Sequence, residues 1–474
     1  MRLSSQLLAA LPQQTLDGTL QERARETPEA IALISESRSW TYRALEERVA
    51  SVAGGLRQAG LRPGGRLGWL GRRDEELPIC FLATVRAGGI FVPGDPGDGQ
   101  RISELLGLGL AMLYDPDGVA PASGCTVLSG LPDGPSLPPS VDPHEVCYWN
   151  LTSGSTGGPK AAATTHSQVQ WNTRACLESY RWQARERYLC LFASFAHPHE
   201  HWARPLTTGG TCVMTSASRP RTLLRILREQ RVSWLFAVPS TVHLLAMEAL
   251  EPLPDLRVIE TGGALVSPAL VSLAETRLGA QVMPIWGCTE ATGVVLHVAP
   301  WESERDLESL GRPLCHYDAR LSRTEEGVGE LTIRGPAVVQ GYDGGEDAER
   351  FRDGWYRTGD LVRRTEVGGY HFAGRVQDVI KVGGLKVYLA EVERVLRRHP
   401  RVEDVAVVPA RDAVRSEVPR AVVVPTDPGL TAEALMRWCR AHLRSEQRPR
   451  QVQLVQALPR GPTGKVNRAA LLLS

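Results

Sequence analysis

The sequence predicts an α/β fold: a large N-terminal domain of stacked β-sheets with helices, followed by a small α+β C-terminal domain. Two observations lead there. Short apolar runs with the character of buried strands, at 212–214, 234–238 and 256–260, recur beside helical patterns, and alternation of strands with helices marks a layered α/β architecture. After about residue 376 the pattern changes. An amphipathic helix, two β-branched runs and a further helix fill the last stretch of roughly 100 residues, enough for a separate domain.

Taken in order, residues 19–60 read as helix, short strand and helix. The strand is the apolar run 31–34, ended by Ser35 and Glu36; after Trp40, Thr41 and Tyr42 the second helix follows over 45–56, where apolar residues repeat at helical spacing. Residues 77–93 read as a helix and then a strand, Ile90-Phe91-Val92-Pro93. The Pro, Gly and Asp cluster at 93–99 marks a turn. Residues 114–145 are rich in Pro, Gly, Ser and Asp and read as surface loops. The stretch GELTIRGPAVVQGY (329–342) alternates in part, as an antiparallel strand with one wet face does. In the last stretch VYLAEVERVLRRHP is the amphipathic helix, AVVP (406–409) and AVVVP (421–425) are strands, and LMRWCRAHL is the second helix.

Length and composition agree with this. The 474 residues allow two or three domains, and 42% apolar with 23% charged residues is ordinary for a globular chain. A net charge of +1 provides no strong field to recruit nucleic acid or an anionic membrane. Nine scattered cysteines, an odd number with no CxxC pair, argue against a disulfide framework and for a reducing compartment. The N-terminal MRLSSQLLAALPQQ is a poor signal peptide, broken by Gln6 and Pro12, and no apolar run is long enough to span a bilayer. The expectation is a cytoplasmic protein with no nucleic-acid or membrane partner.

The strongest chemical signal is LTSGSTGGPKAA at 151–162. Gly154 and Gly157 let backbone N–H groups turn inward around an anion. Thr152, Ser153, Ser155 and Thr156 add hydroxyl donors, and Lys160 adds positive charge. This is chemistry for holding phosphates. It is not the kinase-type P-loop, because the lysine follows Pro159 and precedes Ala161. A flexible Ser/Gly linker would need neither the lysine nor the apolar flanks.

The chain resembles the adenylate-forming superfamily: acyl- and aryl-CoA ligases, adenylation domains of nonribosomal peptide synthetases, and beetle luciferase. The resemblance covers nearly the whole chain, with landmarks in the family's order. They are WTYRALEERV (40–49), VRAGGIFVPGDP (85–96), LTSGSTGGPKAA, WGCTEATG (286–293), GELTIRGPAVVQGY, WYRTGDLVRR (355–364), GRVQDVIKVGGLKV (374–387) and PRGPTGKVNR (459–468). It implies ATP-dependent activation of a carboxylic acid to an acyl-adenylate, with ATP and Mg²⁺ as cofactors.

Each landmark can be given a physical role under that resemblance. Glu290 offers a carboxylate of the kind that holds Mg²⁺; alone it reads as a solvated Glu in the first turn of a helix begun by Thr289. Trp286, beside Gly287, presents a flat face for adenine; alone it reads as core. Gly262 and Gly263 follow a strand and let a base approach the backbone, or form an ordinary turn. Asp360 has two acceptor oxygens suited to a vicinal ribose diol, and Arg375 resembles the family's second ribose contact. Lys465 would reach the reacting carboxylate and α-phosphate, where charge builds in the transition state. The carboxylate is already ionised at pH 7, so positioning and electrostatics are expected rather than general base catalysis. The resemblance further implies a mobile small domain, 377–474 against 1–376, pivoting at Gln377, where many relatives have Asp. Its second face would present Lys381, Val382, Gly383 and Gly384 to a pantetheine thiol.

The acid pocket is where the sequence departs from relatives. FASFAHPHEHWARPLTTGG (192–210) corresponds to the family's aromatic gate, with Phe195 as the gate ring. Amino-acid-activating relatives usually place Asp next, to pair with the substrate ammonium; here it is Ala196. An uncompensated buried ammonium is costly, so a standard α-amino acid is disfavoured. By the same correspondence His197, Glu200, Ala237, Ile259, Thr261, Ile285, Gly293 and Val294 line the pocket, and most are small or apolar. An aryl, heteroaryl or short acyl acid is expected first, and a β-amino or other non-standard amino acid held by Glu200 second. His197, His199 and His201 alternate about Pro198; on a strand they would share a face and suit a metal, whereas loop histidines usually shape pockets and hydrogen-bond.

The opening LQERARETPEAIAL and VRAGGIFVPGDP resemble peptide-synthetase adenylation domains. With the chain ending nine residues after Lys465, a stand-alone adenylation enzyme of natural-product biosynthesis, loading the phosphopantetheine of a separate carrier protein, is expected. Free coenzyme A as acceptor, amide formation, and a non-catalytic nucleotide-binding protein are the alternatives.

Overall fold

A computed structural model describes residues 3–140, 142–153, 159–325, 327–345, 347–383, 385–412, 416–460 and 466–472. By internal contacts the chain divides into two compact units. One comprises Met1–Leu307, Pro313–Asp318 and Arg334–Tyr356; the other comprises Glu308–Arg312, Ala319–Ile333 and Arg357–Ser474.

The first unit is α/β, as the alternating runs predict. Its larger sheet orders the strands Gly293–His297, Gln281–Cys288, Val258–Thr261, Trp234–Ala237, Arg187–Cys190, Thr211–Val213, Ile31–Ile34 and Ser39–Thr41 side by side. The central pairings are parallel, and parallel strands covered on both faces read as unbroken apolar runs. That is why Trp234–Ala237 and Val258–Thr261 are buried throughout. The last strand, Gly293–His297, turns back antiparallel on Gln281–Cys288. A second, six-stranded sheet orders Thr126–Leu128, Met112–Tyr114, Arg66–Trp69, Ile90–Pro93, Val146–Ser153 and Pro159–Thr165.

Local sequence sets the helix ends. Thr165 and Gln168 form a reciprocal capping box at the start of His166–Ser179. Ser267 caps Pro268–Leu278, Pro268 supplies a first residue needing no N–H partner, and Gly279 stops the helix at φ +74. The helix expected over 45–56 extends from Tyr42 to Gln58, with Thr41 as its N-cap. The preceding Ser39–Thr41 forms a short strand that the sequence reading did not separate.

The second unit is α+β. Trp355–Arg364 pairs antiparallel with Tyr370–Arg375. Beyond them, Val379–Val382 and Leu385–Tyr388 form a hairpin. Val402–Asp412 runs antiparallel to Ser416–Pro425, which is flanked in parallel by Gln451–Leu454. Helices Leu389–Arg397 and Ala432–His442 contribute Leu389, Val392, Leu396, Leu435 and Cys439 to a core with Val387, Val405 and Val407. No helix among the described residues is long and apolar enough to cross a membrane.

Candidate active site

Two antiparallel strands flank the glycines of the phosphate-type motif. Thr152 faces Lys160 and Ser153 faces Pro159 across the antiparallel pair Val146–Ser153 and Pro159–Thr165. Gly154, Ser155, Thr156 and Gly157 lie outside the described residues. The strand pair buries Lys160 to 5% exposure, and its Nζ lies 2.5 Å from Asp347 Oδ2. A buried ammonium needs such a counter-charge.

Glu290 lies in the turn Thr289–Ala291, directly after the strand Gln281–Cys288. The turn is 3-10 rather than the start of a longer helix, and Cys288, not Thr289, occupies its cap position. Glu290 is buried and accepts a hydrogen bond from the Tyr342 hydroxyl. That contact helps push the Tyr342 hydroxyl above its ordinary pKa, behind burial and the Glu290 charge. Trp286 is half-buried on the same strand, and Gly287 packs so tightly that a Cβ there would lie 2.2 Å from the Gly293 carbonyl oxygen. Gly262 is held against Ile285, whose backbone oxygen a Cβ would meet at 2.5 Å, and Gly263 turns the chain at φ +79. Lys160, Glu290, Tyr342 and Asp347 thus cluster around a carboxylate able to hold a hard cation and an ammonium able to hold an anion.

On the acid side, Phe195 is half-buried with the Arg101 guanidinium 5.3 Å from its ring centre. Asn150, buried on the strand leading into Thr152, donates from Nδ2 to the Ala196 carbonyl at 2.5 Å and lies 3.3 Å from His197 Nδ1. The histidines do not alternate along a strand: Pro198–His201 is a 3-10 turn begun by its proline. Among the described residues no group of three or more His, Cys, Asp or Glu could hold a metal ion. Ala237 and Ile259 belong to the apolar core beneath the sheet. Thr261, Ile285 and Val294 are buried on neighbouring strands, and Gly293 has φ +138.

Glu200 pairs with Arg204, four residues on in the next short helix, Ala203–Thr207; Arg204 also donates to Glu260 Oε2 at 2.6 Å and to the Tyr188 hydroxyl at 3.1 Å. Tyr180 and Trp234 donate to Glu260 as well. Burial pushes the Glu260 carboxyl up, and Arg204 opposes that shift. Arg204 itself is raised: its anionic partners outweigh burial, the largest influence and one that acts the other way.

Burial likewise lowers His199 and His201 to about 3, assisted by Arg204 and Arg73 respectively. Both are therefore neutral in the fold but protonate in the unfolded chain below its pKa of about 6.5. The unfolded state then binds more protons, so their contribution to stability is complete above that pH and is lost as pH falls. The expected slope is about 1.4 kcal/mol per pH unit for each histidine between roughly pH 6 and 4. Urea denaturation across that range should show a steep fall, shallower in His201→Phe; equal slopes would contradict the assignment.

In the second unit, Asp360 is buried and Arg375 lies directly across the strand pair, with Nε 3.1 Å from Asp360 Oδ1. Gln377 is exposed in the turn Val376–Asp378. Lys381 is exposed on the hairpin, whose turn carries Gly383 at φ +57. Gly384 and Lys465 lie outside the described residues. The sequence reading missed Asn150, Arg204, Tyr342 and Asp347. Only Tyr342 had a signal, as the last letter of a landmark.

Comparison with known proteins defines the class. Residues 20–106 and 109–343 match the AMP-binding enzyme family, and 391–465 match the AMP-binding enzyme C-terminal domain. The chain belongs to this family of adenylate-forming enzymes. It is 33% identical over 477 residues to a feruloyl-CoA synthase from Amycolatopsis, covering 94% of this chain and 96% of that one. It is 31% identical to triostin synthetase I of Streptomyces triostinicus, covering 96% and 93%. Among solved structures it superposes on o-succinylbenzoate CoA synthetase from Bacillus subtilis bound to its acyl-adenylate, with TM-score 0.87, 25% identity and 97% and 98% coverage.

Proposed function

We propose that this enzyme uses Mg-ATP to convert an aryl, heteroaryl or short acyl acid to an acyl-adenylate, and then transfers the acyl group to a pantetheine thiol. One observation carries the acid class. Ala196 stands where an ammonium partner would be needed, and the nearest carboxylate in that segment, Glu200, is engaged by Arg204. The β-amino acid reading, which needs Glu200 as counter-ion, is weakened for the same reason. A feruloyl-CoA synthase and an o-succinylbenzoate CoA synthetase, two of the relatives, are named for acids that carry an aromatic ring.

In this reading Thr152, Ser153, Gly154, Ser155, Thr156, Gly157 and Lys160 hold the phosphates, Glu290 holds Mg²⁺, and Trp286, Gly287, Gly262, Gly263 and Thr289 surround the adenine side. Asp360 and Arg375 hold the ribose. Bound Mg²⁺ supplies charge neutralisation between phosphate oxygens. Residues 377–474 act as the small mobile domain, pivoting at Gln377 to bring first Lys465 and then the Lys381 hairpin into use. The acceptor is the pantetheine arm of a carrier protein; the feruloyl-CoA synthase relative favours coenzyme A as the second reading.

Pyrophosphate release with Mg-ATP and hydroxylamine, across aryl, heteroaryl, short acyl, α-amino and β-amino acids, should be strongest with an aryl or short acyl acid. An α-amino acid as best substrate would overturn the reading of Ala196. Offering coenzyme A and a holo carrier protein to the adenylate then separates the two acceptors.

A further inference from the structure

The residues assigned to the phosphates and to Mg²⁺, Lys160 and Glu290, are each held by a partner to which the sequence analysis gave no role. Lys160 Nζ is 2.5 Å from Asp347 Oδ2, and the Glu290 carboxylate accepts from the Tyr342 hydroxyl. Asp347 and Tyr342 lie five positions apart. The Tyr342 ring centre is also 5.8 Å from Lys160 Nζ, so the four residues form one cluster.

The geometry at Asp347 is unusual. Its backbone is left-handed, at φ +52 and ψ +32, a conformation that costs a non-glycine residue energy. It sits at the cap position of the short turn Ala348–Arg350 but makes no side-chain cap hydrogen bond. The carboxylate is instead directed to cations. The oxygen on Lys160 is also 3.8 Å from Arg350 Nη1. Two cations therefore face one carboxylate oxygen, with the buried lysine the closer.

We propose that Asp347 is a positioning residue of the nucleotide site: in the nucleotide-free chain its carboxylate stands in for a phosphate on Lys160, and triphosphate binding exchanges Lys160 from Asp347 to phosphate while Arg350 keeps the carboxylate paired. The inference rests on the reading of Lys160 as a phosphate ligand. Its physical content is a competition. A buried ammonium must have an anionic partner, and a carboxylate and a phosphate oxygen compete for the same donors. The carboxylate holds the lysine side chain extended and ordered before nucleotide arrives, and its displacement sets part of the affinity for ATP.

The test is isothermal titration of the full chain with Mg²⁺ and an ATP analogue whose α,β-bridging oxygen is a methylene. It needs no acid substrate and no turnover. Asp347→Asn, which keeps size and removes charge, should bind the analogue about three- to tenfold tighter, on the scale of one partly exposed ion pair. Asp347→Glu should stay near the parent. Lys160→Ala should bind weaker than the parent, and Asp347→Asn should add nothing in the Lys160→Ala background. Thermal melts complete the set: Asp347→Asn should melt below the parent without nucleotide and gain more from saturating analogue.

Weaker or unchanged binding by Asp347→Asn, with Lys160→Ala still impaired, would overturn the exchange and leave the phosphate role of Lys160 intact. Unchanged binding by Lys160→Ala would instead remove the reading on which the inference rests. Tighter binding by Asp347→Asn in the Lys160→Ala background as well would show that Asp347 acts by general charge, and would overturn the exchange too.

Discussion

Lys465→Ala should lower the rate of acyl-adenylate formation by about 10²–10³-fold, the scale for one electrostatic group that acts in the transition state. Two anions meet in this step, a carboxylate and the α-phosphate of a triphosphate. The nucleophile needs no deprotonation, because a carboxylic acid is ionised at neutral pH. What the reaction lacks is positive charge where the phosphorus oxygens gain negative charge. Lys160 and Glu290 belong to the first unit and supply ground-state binding in the proposed reading. Lys465, carried by the proposed small domain 377–474, would contribute only when the reacting groups are assembled.

The kinetic signature should therefore be a fall in kcat for pyrophosphate release with little change in the KM for ATP or acid. Thioester formation from a supplied acyl-adenylate should be nearly unaffected, since the phosphorus chemistry is then complete. A variant that adenylates at the parental rate would remove Lys465 from the mechanism. A variant that loses both half-reactions equally would point to a structural fault instead.

The parts of the fold legible in the sequence were those with local signatures. Apolar runs such as Trp234–Ala237 announce strands buried on both faces, and the apolar repeat over 45–56 announces the helix Tyr42–Gln58. At the candidate site, Lys160 and Glu290 could be proposed from sequence because their neighbours form recognisable local patterns. Their partners were not. Asp347 meets Lys160 across 187 residues of sequence, and Asn150 meets Ala196 across 46. Such pairings are set by which strands lie side by side, and no local pattern encodes that. The histidines are a different case. Residues alternating about Pro198 would share a face only on a strand; proline's fixed φ and missing N–H suit the first position of a helical turn, and that is what forms. Arg204 was equally silent, because its environment comes from three separate strands and a helix.

That silent arginine should give the largest stability loss of any single substitution outside the reacting groups. Arg204 is 2% exposed and joins Glu200 to Glu260, which are 4% and 0% exposed. Arg204→Met keeps the length and apolar stem and removes the charge. It leaves two carboxylates buried without their shared cation. Breaking a buried pair in this way costs about 3–5 kcal/mol, because the remaining charge is neither solvated nor paired.

The variant should also show a larger pH dependence than the parent, of definite sign. Burial already raises the Glu260 carboxyl, and losing Arg204 removes the main influence that opposes that rise, so its folded pKa moves further above the unfolded value of about 4.3. The folded state then binds more protons than the unfolded one, and stability falls as pH rises through that window. Arg204→Met should thus be least destabilised near pH 5 and most at pH 7 and above, measured against the parent by urea denaturation. Adding Glu200→Gln and Glu260→Gln should restore much of the loss, since amides bury without charge. A loss below about 1 kcal/mol, or one that does not change with pH, would mean that the carboxylates find other partners. Glu200 lies in the turn that follows Phe195, Ala196 and His197. The same ion network therefore anchors the segment proposed to receive the acid, and adenylation should fall with folding in Arg204→Met and return with it in the triple variant.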